Sequence, residues 1–347
     1  MTRVFGIEIR IHASFLLIVG LFWLAGTAEG GLGVGNAMIW LALIFGSVTA
    51  HELAHSVVAR RRGIDVRAIV LLPIGGVSEM ERMPDRPKDE FAIAGVGPAL
   101  SLAIAAVGLA ATALAGLKVW PPDLGGGALL PRVAWLNLVL GVFNLLPAFP
   151  MDGGRLLRSI IERRTSLERA TRIAARVGRN AAIVMGLAGI LWSPWLLVIA
   201  LFVYFGASAE ESATVLHVRM EGLTVADVML REPLTIDQEA TVDEIQELAR
   251  RTAQDDFPVT RYGRYMGMLT GDVLDRSRGS STAGSLATAV LPLAPGDDLE
   301  SDALPRLSDA PTEAIAVVDN GDVVGLLRAD DIGRILRRRA PADDHAA

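Results

Sequence analysis

Two histidines and a glutamate stand together in an apolar stretch of the chain, His51-Glu52-Leu53-Ala54-His55. Residues four positions apart lie on one face of a helix, so both imidazoles can reach one metal ion. Zinc favours such ligands, and Glu52, one position round the helix, can hold the water that zinc activates. We therefore predict zinc ligands at His51 and His55 and a general base at Glu52. The alternative is a pair of histidines that pack helices together.

A catalytic zinc ion needs a third protein ligand, for which Asp152 is the best candidate. It lies in Pro147-Ala148-Phe149-Pro150-Met151-Asp152-Gly153-Gly154. Prolines remove helical hydrogen bonds and glycines permit unusual backbone angles, so a helix can break here and aim Asp152 sideways. A helix-capping aspartate is the alternative. The chain has no cysteine, which excludes thiolate ligands, cysteine nucleophiles and disulfides.

Long apolar segments must position these residues. Of the 347 residues, 51% are hydrophobic, and the apolar runs fill roughly the first 210 positions. A membrane-spanning helix needs about 20 apolar residues. We predict a transmembrane domain over 1–210, with about six spans at 12–28, 37–59, 91–117, 129–149, 173–192 and 194–209. A cleaved signal peptide is the alternative reading of the first span.

Basic residues indicate how these spans are oriented. They concentrate in the loop after the second span, 60–88, and in the segment after the fourth, 155–172, whereas the first and fifth loops have none. Cytoplasmic loops carry the excess of arginine and lysine. Both termini and the C-terminal region are therefore predicted to be cytoplasmic, in a multi-pass protein of the cell membrane.

At its two motifs the sequence resembles the site-2 protease family of intramembrane zinc metalloproteases. The family's His-Glu-x-x-His is present at His51 to His55, and its Asn-x-x-Pro-x-x-Pro-x-Asp-Gly motif runs from Asn144 to Gly153. Gly95-Val96-Gly97-Pro98 resembles the family's small-residue turn before the third span. Pro73-Ile74-Gly75-Gly76-Val77 resembles its re-entrant Gly-Gly loop. The resemblance implies one zinc ion per chain and a bacterial membrane protease.

The resemblance also implies the kind of substrate, a membrane protein cut in or near a transmembrane segment, such as a membrane-tethered regulator or precursor. An extended Ile74–Val77 edge, including Gly75 and Gly76, can hold an unwound substrate by strand addition; an ordinary tight turn is the alternative. Asn144 can donate a hydrogen bond to the substrate carbonyl or oxyanion, or instead bond a neighbouring helix. His12 is read as an interfacial histidine, with a gating role as the alternative.

From about residue 223 the chain changes to short apolar strands and amphipathic helices that repeat once. The repeats, 223–278 and 284–339, resemble a tandem pair of cystathionine-beta-synthase (CBS) domains, an α+β fold. The family's usual nucleotide-binding signature is glycine, two apolar residues and a threonine or serine, then two residues and an aspartate. Each copy keeps half of it. The first copy has Thr270 but Val273 in place of the aspartate, and the second has Asp331 but Arg328 in place of the hydroxyl residue. This pattern favours a structural or dimerising pair over a nucleotide sensor. We predict a disordered tail over 340–347.

Two other functions compete with the protease. A transporter or channel regulated by a cytosolic CBS pair is the first, although the six spans show no internal repeat. An inactive zinc-binding scaffold is the second, and the retention of Glu52 argues against it. Nothing in the composition favours nucleic-acid binding.

Overall fold

The computed structural model describes residues 2–28, 33–73, 75–80, 84, 86–120, 127–252, 254–277 and 281–338. The predicted tail 340–347 lies outside them. The chain divides into two compact units, Met1–Thr214 and Val215–Ala347.

Seven helices lie wholly or mainly in the first unit. They are α1 (Phe15–Thr27), α2 (Val34–Arg61), α3 (Pro87–Leu114), α4 (Leu129–Asn144), α5 (Asp152–Glu162), α6 (Leu167–Trp192) and α7 (Pro194–Met220). Within the described part of the chain, α2, α3, α6 and α7 are long and apolar enough to cross a membrane, whereas α1 and α4 are apolar but shorter. The unit is therefore a helical domain with four candidate spans, and the count of six stays a prediction.

Small residues let α3 and α4 approach each other closely. A Cβ atom on Gly108 of α3 would lie 2.8 Å from the Cβ of Ala134, and one on Gly141 of α4 would lie 2.9 Å from Leu102. Helices in a bilayer associate by such close van der Waals packing, because lipid tails are as apolar as leucine. This packing fixes α3, on which the candidate metal centre rests.

A four-stranded sheet, which the sequence analysis did not predict, accompanies the helices. Its strands, in the order β1-β2-β3-β4, are β1 (Thr2–Val4), β2 (Ile7–Ile11), β3 (Val66–Leu72) and β4 (Gly75–Met80). Strands β2 and β3 pair in parallel, and the other pairs are antiparallel. Strand β4 is at one edge of this sheet. The extended conformation predicted for the glycine pair is thus confirmed from Gly75 onward; Ile74 is outside the described residues.

The turn expected at Gly95–Pro98 is wrong. Helix α3 begins at Pro87 and continues through Pro98 without a break. Proline lacks an N–H and removes one helical hydrogen bond, but the buried packing of α3 keeps the helix intact. The small residues in this segment serve close approach, as shown below, and do not form a turn.

Two sheets form the second unit. The first is ordered β5-β10-β9 and the second β6-β7-β8. The strands are β5 (Leu230–Arg231), β6 (Ile236–Asp237), β7 (Phe257–Arg261), β8 (Arg264–Leu269), β9 (Ala314–Asp319) and β10 (Asp322–Arg328). The helices are α8 (Val225–Val228), α9 (Val242–Arg251), α10 (Gly271–Arg276), α11 (Ala283–Leu286), α12 (Leu304–Asp309), α13 (Ala329–Arg338) and one π-helical turn, Leu299–Ala303.

The two sequence repeats exchange their opening segments. Leu223 and Val225, from the start of the first repeat, are buried with Leu293 and Val317 of the second. Conversely, Leu286 and Ala287 from the start of the second repeat pack against the core around β7 and β8. Each hydrophobic core therefore contains residues of both repeats.

Candidate metal centre

The two histidines face the same way from the C-terminal part of α2. His51 and His55 are buried, 3% and 5% exposed, and their rings meet edge-on with centroids 4.8 Å apart. His55 lies six residues before Arg61, the last residue of α2, which corresponds to about 9 Å along a helix axis. The pair is thus inside the helical unit but near one end of α2.

One face of α3 supports both rings. His55 Nδ1 lies 2.6 Å from the backbone oxygen of Ile93, and His51 Nδ1 lies 3.0 Å from Ser101 Oγ. Ile93 and Ser101 stand eight residues apart, with Gly97 midway, so all three lie along one side of the helix. Ile93 and Ser101 are themselves buried.

These bonds determine which nitrogens are available to a metal. A carbonyl oxygen only accepts, so His55 must donate from Nδ1. In the neutral imidazole, Nε2 then has no proton and its lone pair is available to a metal. For His51 the serine hydroxyl can accept from Nδ1 in the same way. Metal-binding histidines are typically held through the second ring nitrogen in this manner.

Asp152 completes the group from a different part of the chain. Its Oδ2 lies 3.1 Å from His51 Nε2 and 3.2 Å from His55 Nε2. The predicted helix break is confirmed, because α4 ends at Asn144 and α5 begins at Asp152. The carboxylate points to the two histidines from the first residue of α5.

The glycines after Asp152 make this approach possible. A Cβ atom on Gly153 would lie 2.1 Å from the Leu146 carbonyl oxygen, and one on Gly154 would lie 2.7 Å from the Ala148 carbonyl carbon. Larger residues would push α5 away from the segment that follows α4. The glycines thus hold the first turn of α5, and Asp152 with it, close to the end of α4.

The three donor atoms fit a zinc ion. Zinc binds nitrogen and oxygen at about 2.0–2.2 Å, so two donors on one tetrahedral ion stand about 3.3–3.6 Å apart. The two separations from Asp152 Oδ2 are close to this range. Gly97 leaves the space open: a Cβ there would lie 2.2 Å from His55 Nε2 and 2.7 Å from His51 Nε2.

Strand β4 holds Glu52 beside the histidines. Ser78 of β4 donates to Glu52 Oε2 at 3.0 Å, and the Ser56 hydroxyl lies 3.1 Å from that of Ser78. A Cβ on Gly76 would lie 2.6 Å from Glu52 Cγ. Glu52 also has a carboxylate oxygen within 4.8 Å of the histidine ligand atoms. It can therefore accept a proton at the metal while β4 fixes its position.

Asn144 and His12, which the sequence also marked as candidates, make local hydrogen bonds. The Asn144 amide donates to the Leu140 carbonyl of its own helix at 3.0 Å. His12 is exposed, and its Nδ1 lies 2.7 Å from Ser14 Oγ. Other residues that hold the site in place could not be recognised from the sequence. Ser101 and Ser78 had no motif to mark them, and the Ile93 contact uses a backbone atom.

Comparisons with known proteins match both parts of the chain to known families. Residues 39–120 and 122–185 match the model of peptidase family M50, and residues 225–272 match that of the CBS domain. Zinc metalloprotease MJ0392 of Methanocaldococcus jannaschii is 30% identical over 339 residues, covering 96% of this chain and 94% of its own. Rip3 of Mycobacterium tuberculosis is 35% identical and covers 96% and 91%.

A solved structure is also similar, that of a site-2 protease from Methanocaldococcus jannaschii. It is 37% identical and covers 61% of this chain and 94% of its own, with a TM-score of 0.47.

Substitution of Gly97 tests the metal site without touching a ligand. Gly97→Ala is expected to abolish stoichiometric zinc binding, because the new methyl group would occupy the space between the two Nε2 atoms. Gly95→Ala is the matched control, since a Cβ there meets only Leu156 at an ordinary 3.6 Å. The measurement is zinc content per chain of the detergent-purified proteins. Equal zinc in both variants would contradict the site.

Proposed function

Because the chain belongs to peptidase family M50, the site-2 protease family, we propose that its zinc ion is held by His51, His55 and Asp152. The observation that carries this proposal is the convergence of two imidazole Nε2 atoms and one carboxylate oxygen, with both Nδ1 atoms already engaged. The chain is a zinc metalloprotease of the membrane, and its relatives leave no role for the transporter alternative.

The residues divide the hydrolysis between them. Zinc, when bound, supplies a Lewis acid that polarises the peptide carbonyl and acidifies water. Glu52 takes the proton from the attacking water and later gives it to the leaving amine, so that a carboxylic acid and an amine result. Ser78 keeps the Glu52 carboxylate in place through its hydroxyl. Asn144 stays a candidate for the oxyanion, because its amide nitrogen has a second N–H besides the one that it donates to the Leu140 carbonyl.

The edge of β4 supports a role in substrate binding. A peptide bond inside a helix has its backbone groups already paired, so a transmembrane substrate must unwind before it is cut. Strand addition along Gly75, Gly76 and Val77 would replace the lost hydrogen bonds and lay the substrate beside Glu52. A cavity of about 140 Å³ adjoins this edge, lined by Ile18, Phe22, Ile44, Phe45, Val48, Pro73 and Gly75. Its apolar lining suits the side chains of a membrane segment.

We also propose the arrangement in the membrane that the charges favour. The basic C-terminal end of α2 and the arginines around α5 face the cytoplasm, with both chain termini on that side. Helices α1 and α4 would then cross the bilayer with α2, α3, α6 and α7, since the bilayer can thin around a short span.

For the CBS pair we propose a structural or dimerising role without a bound nucleotide. Asp331, the residue that completes the second half-signature, is only 4% exposed. Its carboxylate accepts hydrogen bonds from Arg328 and is also in contact with Arg334. An aspartate engaged by two arginines has little capacity left for the hydroxyls of a ribose.

Glu52→Gln should lower the rate of substrate cleavage by about 10²–10⁴-fold, because the amide cannot accept the proton. Zinc content should stay at one ion per chain, whereas His51→Ala and Asp152→Ala should lose the metal. The assay is cleavage of a tagged single-span protein co-reconstituted with the enzyme, with zinc measured in parallel. Full activity in Glu52→Gln would refute the general-base assignment.

Val77→Pro should reduce cleavage about five- to thirtyfold, the effect of losing one or two backbone hydrogen bonds of about 1 kcal/mol each. Val77→Thr is the control, since it keeps the N–H and the β-branched shape. Zinc content should be unchanged in both. If proline and threonine variants cleave at the wild-type rate, the strand does not bind substrate.

AMP and ATP should not bind the full chain more tightly than about 1 mM in calorimetry. Arg328→Thr restores the missing hydroxyl and releases Asp331 from one arginine, so this variant should bind measurably better than wild type. Tight binding by the wild-type protein would show that the half-signatures suffice.

A further inference from the structure

A buried arginine on α5 joins three helices of the first unit. Arg158 is 4% exposed, and its Nε donates to Glu90 of α3 at 2.8 Å. Its Nη2 also contacts Glu90, and its Nη1 donates to Glu210 and Thr214 of α7, at 2.9 and 3.2 Å. The guanidinium thus engages two carboxylates and a hydroxyl at once.

Stability alone is a weak explanation for such a cluster. Removing charges from water is costly, and apolar side chains of the same volume often stabilise a protein equally well or better. A planar guanidinium with fixed donor directions does provide geometric precision. Arg158 therefore sets the rotation and distance of α5 relative to α3 more tightly than apolar packing would.

Arg158 and Glu90 each lie on a helix that carries or supports residues of the metal centre. Arg158 lies six residues after Asp152 on the short α5, and its guanidinium carbon is 5.2 Å from the ring centroid of Phe149, just before Asp152. Glu90 lies one helical turn before Ile93, whose carbonyl holds His55. The pair joins the helix that carries the carboxylate ligand to the helix that supports the histidines.

We propose that Arg158, through its ion pair with Glu90, is a positioning residue that sets the separation between Asp152 and the two histidines. This inference rests on the proposed zinc site. Among the described residues, the guanidinium of Arg158 is bonded to Glu90, Glu210 and Thr214, and it acts by fixing α5 on α3.

The test measures metal binding by the detergent-purified full chain. Arg158→Met, Arg158→Lys and Glu90→Gln are compared with wild type by zinc competition against a chelator and by the visible spectrum of the cobalt(II)-loaded protein. Arg158→Met and Glu90→Gln should weaken zinc binding about 10–100-fold, the usual effect of losing the support of a ligand. Their cobalt spectra should shift as the tetrahedral site distorts, and Arg158→Lys should lie between them and wild type.

Arg155→Met is the matched control, since Arg155 lies on the same helix but is exposed. It should bind zinc and cobalt as wild type does. The double variant Arg158→Met/Glu90→Gln separates positioning from stability. Each single variant leaves one charge of the Arg158–Glu90 pair buried without its partner, whereas the double variant removes both charges. Its thermal stability should therefore be higher than that of the single variants. Its zinc affinity should stay low.

The outcomes are distinct. Wild-type zinc affinity and cobalt spectra in Arg158→Lys and Glu90→Gln would overturn the positioning role, even if Arg158→Met failed to fold. Recovery of zinc affinity together with stability in the double variant would also overturn it, because only folding would then be at stake. Failure of the wild-type chain to bind zinc would instead refute the proposed function itself.

Discussion

Two imidazoles in an apolar helix bundle must have their ring nitrogens engaged, and this constraint organises the first unit. His55 Nδ1 is engaged by the Ile93 carbonyl, and His51 Nδ1 is engaged by the Ser101 hydroxyl. Both partners lie on one face of α3, with Gly97 between them, so α3 aims the histidines and also leaves the room that a metal needs. The close packing of α3 against α4 is therefore as necessary to the chemistry as the ligands are.

Different elements hold the two carboxylates near this centre. Asp152 enters on a helix that begins where the chain breaks, and its oxygen reaches both Nε2 atoms directly. Glu52 stands on the same helix as the histidines but accepts a hydrogen bond from Ser78 on β4. The first arrangement suits a ligand and the second suits a base beside the ligands. Strand β4 therefore holds the proposed general base and also forms the sheet edge proposed for a substrate strand.

The sequence predicted the parts of the site that follow from local geometry. The i, i+4 spacing of His51 and His55 and the helix break before Asp152 needed only helix periodicity and proline chemistry, and the family resemblance is confirmed. The supports from α3 were missed because a backbone carbonyl has no residue signature and a lone serine has no distinctive spacing. The sheet was missed because β2 and β3, which pair in parallel, are separated by α1 and α2. Glycines at 95 and 97 suggested a turn, whereas Gly97 is needed for space.

The second unit shows why a sequence repeat need not be a structural module. Leu223 and Val225 are completely or almost completely buried among residues of the second repeat, and Leu286 and Ala287 of the second repeat pack against residues of the first. Neither repeat can bury its own opening segment in its own sheet, so the two halves depend on each other for their cores. Selection on the pair's stability then acts on both repeats together. The nucleotide signature is only partly under this constraint: Val273 packs against one core, whereas Thr270, Arg328 and Asp331 belong to neither cluster of buried apolar residues. Each copy can therefore lack half of the signature while the pair still folds.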